Sequence, residues 1–184
     1  MSIVSVPGRF LSISGLSGLN GGVGQALNLV QSQLENAKLQ LDDVHSVQLF
    51  LRDLSLFSEI NKVYQDFFTQ RSKFPTRLCV EVDLPTNISF IMNILAIREN
   101  GESKKLKIGS RSNWACSVVG PYSQASVVKS DNFGALYLSG IIGLRPFEHL
   151  LGQDQKYFKN DLLNLTHWFQ VSIFSTFAPV FFQK

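Results

Sequence analysis

Arg77 and Cys79 stand two residues apart in the stretch KFPTRLCVEVDLP, residues 73–85. A guanidinium does not shed its charge near neutral pH, and its planar fork of donors matches a carboxylate bidentately. On a strand, residues two apart share a face, so the thiol accompanies the cation. Two readings of Arg77 fit the sequence. It either holds the carboxylate of a ligand, or pairs with Glu81 or Asp83 a few residues on. Other chemistry is harder to assemble. His45, His149 and His167 have no metal-ligand spacing with one another or with the cysteines. The glycines at 15, 18, 21, 22 and 24 lack a following Gly-Lys-Ser/Thr, so they are expected to serve a turn rather than cradle phosphate. Ser14 and Ser139 each precede a glycine, but no nucleophile elbow surrounds them.

The elements that must position Arg77 follow from hydrophobic periodicity. From Thr76 onward Leu78, Val80, Val82 and Leu84 alternate with Arg77, Cys79, Glu81 and Asp83, which predicts a strand between two prolines. The apolar set is expected to face the helices, with Arg77 on the opposite face. Residues 9–14 predict a strand ending near Gly15, and Leu27, Val30, Leu34 and Ala37 the buried stripe of a helix over 25–38. Val47, Leu49 and Leu51 mark another strand. Ser55 is the expected cap of a second helix through Ile60, Val63, Tyr64, Phe67 and Phe68, and residues 87–99 supply a last strand. Residues 1–98 thus read as β-α-β-α-β-β, an α+β sheet covered by two helices.

Composition narrows the function classes. Of 184 residues, 45% are hydrophobic and 17% charged, with 17 basic against 14 acidic side chains. That balance gives no reason to expect a nucleic-acid or membrane-surface binder. Cys79 and Cys116 are the two cysteines, far apart and without a secretory leader before them, which predicts a reduced, cytoplasmic setting. The most apolar stretch, WFQVSIFSTFAPVFF, is shorter than the ~20 residues a membrane helix needs.

The start of the chain recurs 125 positions later. LSISGLSGL at 11–19 matches LYLSGIIGL at 136–144, through Ser14, Gly15, Gly18 and Leu19 on Ser139, Gly140, Gly143 and Leu144. The expected organisation is a first copy over 1–98, a charged linker over 99–112, and an incomplete second copy over 113–184. Within the tail, residues 160–178 are expected to form one helix, and the edges are expected to mark a truncated or alternatively spliced product.

Several motifs together resemble one family. FPTRLCVEVDLP, then FSEINKVYQDFF through Phe57, Asn61, Tyr64 and Phe67, then VGPYSQASVV and LYLSGIIGL are similar to the signatures of the RidA (YjgF/YER057c/UK114) family. The resemblance implies a chorismate-mutase-like α+β fold, trimer-like packing, and clefts between subunits that hold a small carboxylate. It implies that Arg77 binds the carboxylate, that Tyr122 lines the cleft from a neighbouring unit, and that Asn61, Cys79, Ser139 and Gly140 lie nearby. Catalytic members hydrolyse enamines or imines with an acidic residue on the last strand. Here Ile91 takes that place, and an aliphatic side chain neither orients water nor passes a proton. The tandem layout further resembles the RidA-like portion of eukaryotic diphthine–ammonia ligases, which amidate diphthine on elongation factor 2. That likeness implies ATP for the full-length ligase, but no cofactor within this chain. A free-standing imine deaminase and a non-catalytic carboxylate-binding or assembly module are the alternatives.

Overall fold

Leu11 and Ile13 alternate with more polar neighbours, and in the computed structural model they are buried, as is Leu16 beyond an irregularity in the strand. The structure describes residues 1–18, 22–69, 73–98, 104–109, 118, 120–129, 134–140 and 180–182. β1 (Ser2–Val6) turns at Gly8 into β2 (Phe10–Ser17), and α1 (Val23–Asn36) follows. Next come β3 (Val44–Leu51), α2 (Phe57–Thr69), β4 (Thr76–Glu81) and β5 (Phe90–Ile97). The sheet order is β1-β2-β5-β3-β4, antiparallel except for β3 beside β4, the pair that α2 connects. Val23, Ala26, Leu27, Val30 and Leu34 of α1 and Ile60, Tyr64 and Phe68 of α2 join the buried residues of β2, β3 and β5 in one core. This is the α+β sheet under two helices that the periodicity predicts.

Local chemistry sets the helix ends. Beyond α1, Lys38 takes a left-handed φ of 56°, so its N–H donates to the Glu35 carbonyl at 2.9 Å and Leu39 N–H to Leu34 at 2.8 Å. These bonds satisfy carbonyls that a helix end leaves orphaned. Before α2, Asp53 rather than Ser55 does the capping: its carboxylate accepts the Ser55 N–H at 2.7 Å across a short 3-10 turn, Leu54–Leu56.

The expected orientation of β4 is reversed. In its parallel register Arg77 lies beside Val47 and Cys79 beside Leu49, and both partners are core residues under the helices. Arg77 and Cys79 therefore face α2. The alternation misleads because both sides of β4 are covered. Leu78 is buried on the other side, where a Cβ added to Gly140 would sit 3.2 Å from its Cδ1.

That cover comes from a second sheet of β6 (Lys104–Leu106), β7 (Ala125–Lys129), β8 (Gly134–Leu138) and β9 (Val180–Phe182), all antiparallel. β6 falls within the stretch read as a linker. Its Lys105 ammonium donates to the Asp42 and Val44 carbonyls at 2.8 and 2.6 Å, tying the second sheet to the first. Lys107 lies 4.0 Å from the centroid of the Phe74 ring, a close cation–π contact. The helix expected over 160–178 lies outside the described residues, as do Cys116, His149 and His167. Among the described residues no helix is long and apolar enough to cross a membrane.

Candidate functional site

β4 ends the first sheet, and its free edge is where the second sheet docks. Ser123 N–H donates to the Pro75 carbonyl at 2.9 Å, and Thr76 and Ser123 form a parallel bridge. One residue on, the Arg77 main chain is held on both sides. Its N–H donates to the Ser139 hydroxyl at 2.8 Å, and its carbonyl accepts the Gly140 N–H at 3.2 Å. Ser139 Oγ in turn donates to the Ser123 carbonyl at 2.5 Å. Ser139 and Gly140 thus fix the backbone of Arg77 rather than touching its side chain. An open edge that would invite other strands is covered, and the register of the arginine is set.

The Arg77 side chain points into a box of aromatic rings. Phe57, Asn61 and Tyr64 fall at positions i, i+4 and i+7 of α2, one stripe of the helix. Asn61 Oδ1 accepts from Arg77 Nη1 at 2.7 Å. The guanidinium carbon lies 4.9 Å from the Tyr64 ring centroid, 5.6 Å from Phe57 and 5.2 Å from Tyr122, which precedes β7 of the second sheet. A Cβ at Gly120 would make a tight contact, 3.2 Å from Arg77 Nη2 and 3.3 Å from the Tyr122 ring.

Arg77 is only 7% exposed, yet it has no carboxylate partner among the described residues. The carboxylate of Glu81 is engaged elsewhere, accepting the Leu54 N–H at 2.7 Å. The ion-pair reading of Arg77 therefore fails, and a buried cation supported by rings and one amide remains. Such a group is stabilised by an anion that completes its donors, because desolvated charge without a counter-charge is costly. Ring faces and an amide oxygen supply partial negative potential but no full charge.

Cys79 lies beside this site, and burial pushes its thiol pKa up although Arg77 pulls it down. It stays protonated at neutral pH and is no thiolate nucleophile. Tyr64 is wholly buried, its phenol pKa raised mainly by desolvation, and its hydroxyl has no hydrogen-bond partner among the described residues. Ile91, on β5 opposite Phe50 of β3, leaves the last strand without an acid at that position. Among the described residues no three metal-ligating side chains cluster.

The structure thus gathers Arg77, Asn61, Cys79, Tyr122, Ser139 and Gly140 at one seam. Phe57, Tyr64 and Gly120 belong to it as well, although the sequence reading left them out. The first two could have been found from their helical spacing with Asn61. His45, set aside as a metal ligand for want of spacing, is a satisfied core histidine. It is fully buried between the sheets, with Nε2 3.1 Å from the Ile97 carbonyl and Nδ1 2.7 Å from the Ser126 hydroxyl. A carbonyl only accepts, so Nε2 carries the proton and Nδ1 accepts from Ser126.

Comparison with known proteins agrees with the motifs. Residues 6–97 match the family model described as Endoribonuclease L-PSP. Diphthine–ammonia ligases of Schizosaccharomyces pombe and Saccharomyces cerevisiae are 29% and 31% identical over 126 and 125 residues. Those alignments cover 68% and 61% of this chain but only 20% and 18% of the ligases, so the chain spans about a fifth of their length. The 2-iminobutanoate/2-iminopropanoate deaminase of Escherichia coli K12 is 36% identical over 76 residues, 40% of this chain and 59% of the deaminase. Among solved structures, the YjgF gene product from E. coli aligns at TM-score 0.44 and 26% identity, over 53% of this chain and 86% of its own. Yeast Mmf1 aligns at TM-score 0.44 and 28% identity, over 51% and 83%. With half of the chain matched by the family model and the arginine seam formed by its motif residues, this protein belongs to the Endoribonuclease L-PSP (RidA) family.

Proposed function

We propose that this chain is the tandem RidA-like portion of a diphthine–ammonia ligase, and that its Arg77 site holds a small carboxylate. The observation that carries the reading is the extent of the likeness. The family model ends at residue 97, whereas the S. pombe ligase aligns over 126 residues, too many to fit within residues 1–98. The likeness therefore reaches the segment that supplies the second half of the arginine seam. A buried guanidinium with no carboxylate partner among the described residues supports the carboxylate. In this reading ATP is bound and used by another domain of the ligase, diphthine on elongation factor 2 is the substrate of the whole enzyme, and the work is cytoplasmic.

The test is a chimera in which this chain replaces the RidA-like portion of the S. cerevisiae ligase. Amidation of diphthine on elongation factor 2, followed by mass spectrometry of the modified peptide, is expected to be restored and to fall with Arg77→Met. A folded chimera that amidates nothing overturns the reading. The free-standing deaminase reading is favoured by the 36% identity to the E. coli enzyme, but Ile91 removes the acid such chemistry needs.

A further inference from the structure

Nearly every buried polar group in a folded protein finds a hydrogen-bond partner, so one that does not calls for a reason outside the fold. Among the described residues two buried side-chain atoms lack a partner, Asp42 Oδ1 and the Tyr64 hydroxyl. Asp42 lies in a short 3-10 turn, Leu41–Asp43, and is partly exposed, whereas Tyr64 is 0% exposed. The Tyr64 ring centroid lies 4.6 Å from that of Phe68 and 4.9 Å from the Arg77 guanidinium carbon. Arg77 and Cys79 are the ionisable groups that act on its hydroxyl, and desolvation keeps that hydroxyl protonated at any ordinary pH. The other polar groups of the seam define what the hydroxyl lacks. Arg77 donates, burial keeps the Cys79 thiol protonated, and Asn61 Oδ1 is taken by Arg77 Nη1. No carboxylate among the described residues pairs with them: Glu81 accepts the Leu54 N–H, Glu59 and Asp66 of α2 are exposed, and position 91 is isoleucine. An ammonium brought here would meet a guanidinium and no counter-charge.

We propose, on the carboxylate reading of Arg77, that Tyr64 is a specificity-determining residue of the same site. Its hydroxyl donates to a second acceptor oxygen on the bound acid, so the site prefers oxygen-bearing carboxylates to apolar or ammonium-bearing ones of the same shape. Arg77 grips the carboxylate, which all three kinds share. A buried donor left unpaired by the wrong ligand is what tells them apart. Phe57, Asn61 and Tyr64 lie on one stripe of α2 and all three meet the guanidinium, so hydroxyl and arginine serve one ligand. In the empty site the fold keeps an orphaned donor that phenylalanine would spare it, a cost repaid when the ligand arrives.

Methoxyacetate, butanoate and sarcosine test this, being isosteric acids with an ether oxygen, a methylene and a secondary ammonium at one position. Calorimetric titration of the full chain is expected to show methoxyacetate binding about tenfold tighter than butanoate, with sarcosine weakest. Tyr64→Phe is expected to bring methoxyacetate down to the level of butanoate. The same variant should raise the urea midpoint of the unliganded chain, because no orphaned donor remains. A merely structural hydroxyl would leave the ratio of the two affinities alone. Equal wild-type affinities for methoxyacetate and butanoate, or a preference that survives Tyr64→Phe, overturn the proposal and leave the carboxylate reading standing. If none of the three acids binds, or if Arg77→Met binds them as wild type does, the carboxylate reading fails and the role of Tyr64 falls with it.

Discussion

Acidifying the protein through the pH 6.5–4 range should weaken it by way of His45. The ring is wholly buried, and as a neutral group it donates from Nε2 to Ile97 and accepts at Nδ1 from Ser126. Burial, and then the Lys105 ammonium, pull its pKa from 6.5 to about 4, against the bond to Ile97 and the charge of Asp43. Arg98, which pairs with Asp43 at 2.7 Å, keeps that carboxylate occupied. Between these two pKa values the unfolded chain binds the proton and the folded one does not, so stability is full above pH 6.5 and falls as the pH drops. A depression of about 2.5 units, at 1.36 kcal/mol each, amounts to about 3 kcal/mol once the pH is below 4, with about 2 kcal/mol lost by pH 5. The assay is urea denaturation at pH 7.5, 6.5, 5.5 and 5.0 on wild type and on His45→Gln. Glutamine can donate to Ile97 and accept from Ser126 without titrating. Subtracting the two curves removes what the carboxylates contribute. The difference should shift by about 2 kcal/mol against wild type between pH 7.5 and 5.0. A flat difference, or one that favours wild type in acid, would refute the reasoning.

Four further outcomes follow from the same contacts. Arg77→Met should weaken binding of small carboxylates by about 1.5–3 kcal/mol in calorimetry, while urea stability holds or rises because a buried charge with no carboxylate partner among the described residues is gone. Ser139→Ala orphans the Arg77 N–H and the Ser123 carbonyl, so it should cost about 1–3 kcal/mol and expose the seam to hydrogen exchange at residues 75–79. Lys38→Gly relieves a left-handed φ of 56° and should raise stability by up to about 1 kcal/mol in thermal unfolding. The purified chain should release no ammonia from 2-aminoacrylate-type imines above background, since Ile91 stands where an acid is needed; Arg77-dependent release would sink that view.

Much of this architecture is legible in the chain because its helices and central strands carry one buried face each. The stripe from Leu27 to Leu34 and the alternation of β3 and β5 leave little choice about what faces the core. β4 was misread for the opposite reason. Buried on both sides, it offers no polar face to mark solvent, and its arginine looks exposed until Phe57, Asn61 and Tyr64 are placed across from it. Ser55 was read as the cap where Asp53 opens the 3-10 turn before α2, because both are good caps and only the Glu81 contact to Leu54 favours the earlier start. Arg77 stood out by its own chemistry, but Tyr122 was found from motif likeness alone. Forty-five positions separate them in sequence, and no local pattern says that they meet. His45 was read only as lacking metal-ligand spacing, because a lone histidine in a strand carries no further signal until its partner, 81 residues away, is known.

The joining of Arg77 and Tyr122 within one chain has a consequence for dilution. Where the two halves of such a seam sit on separate subunits, the seam disappears when the protein is diluted below its dissociation constant. Here Tyr122 is tethered to Arg77, and a short tether holds its partner at an effective concentration on the order of millimolar whatever the bulk concentration. Ligand occupancy should therefore follow ligand concentration alone, down to the scarcest levels of protein. By the same linkage, an anion seated on Arg77 beneath Tyr122 tightens the grip of the second sheet on β4, and anything that prises that sheet away releases the anion.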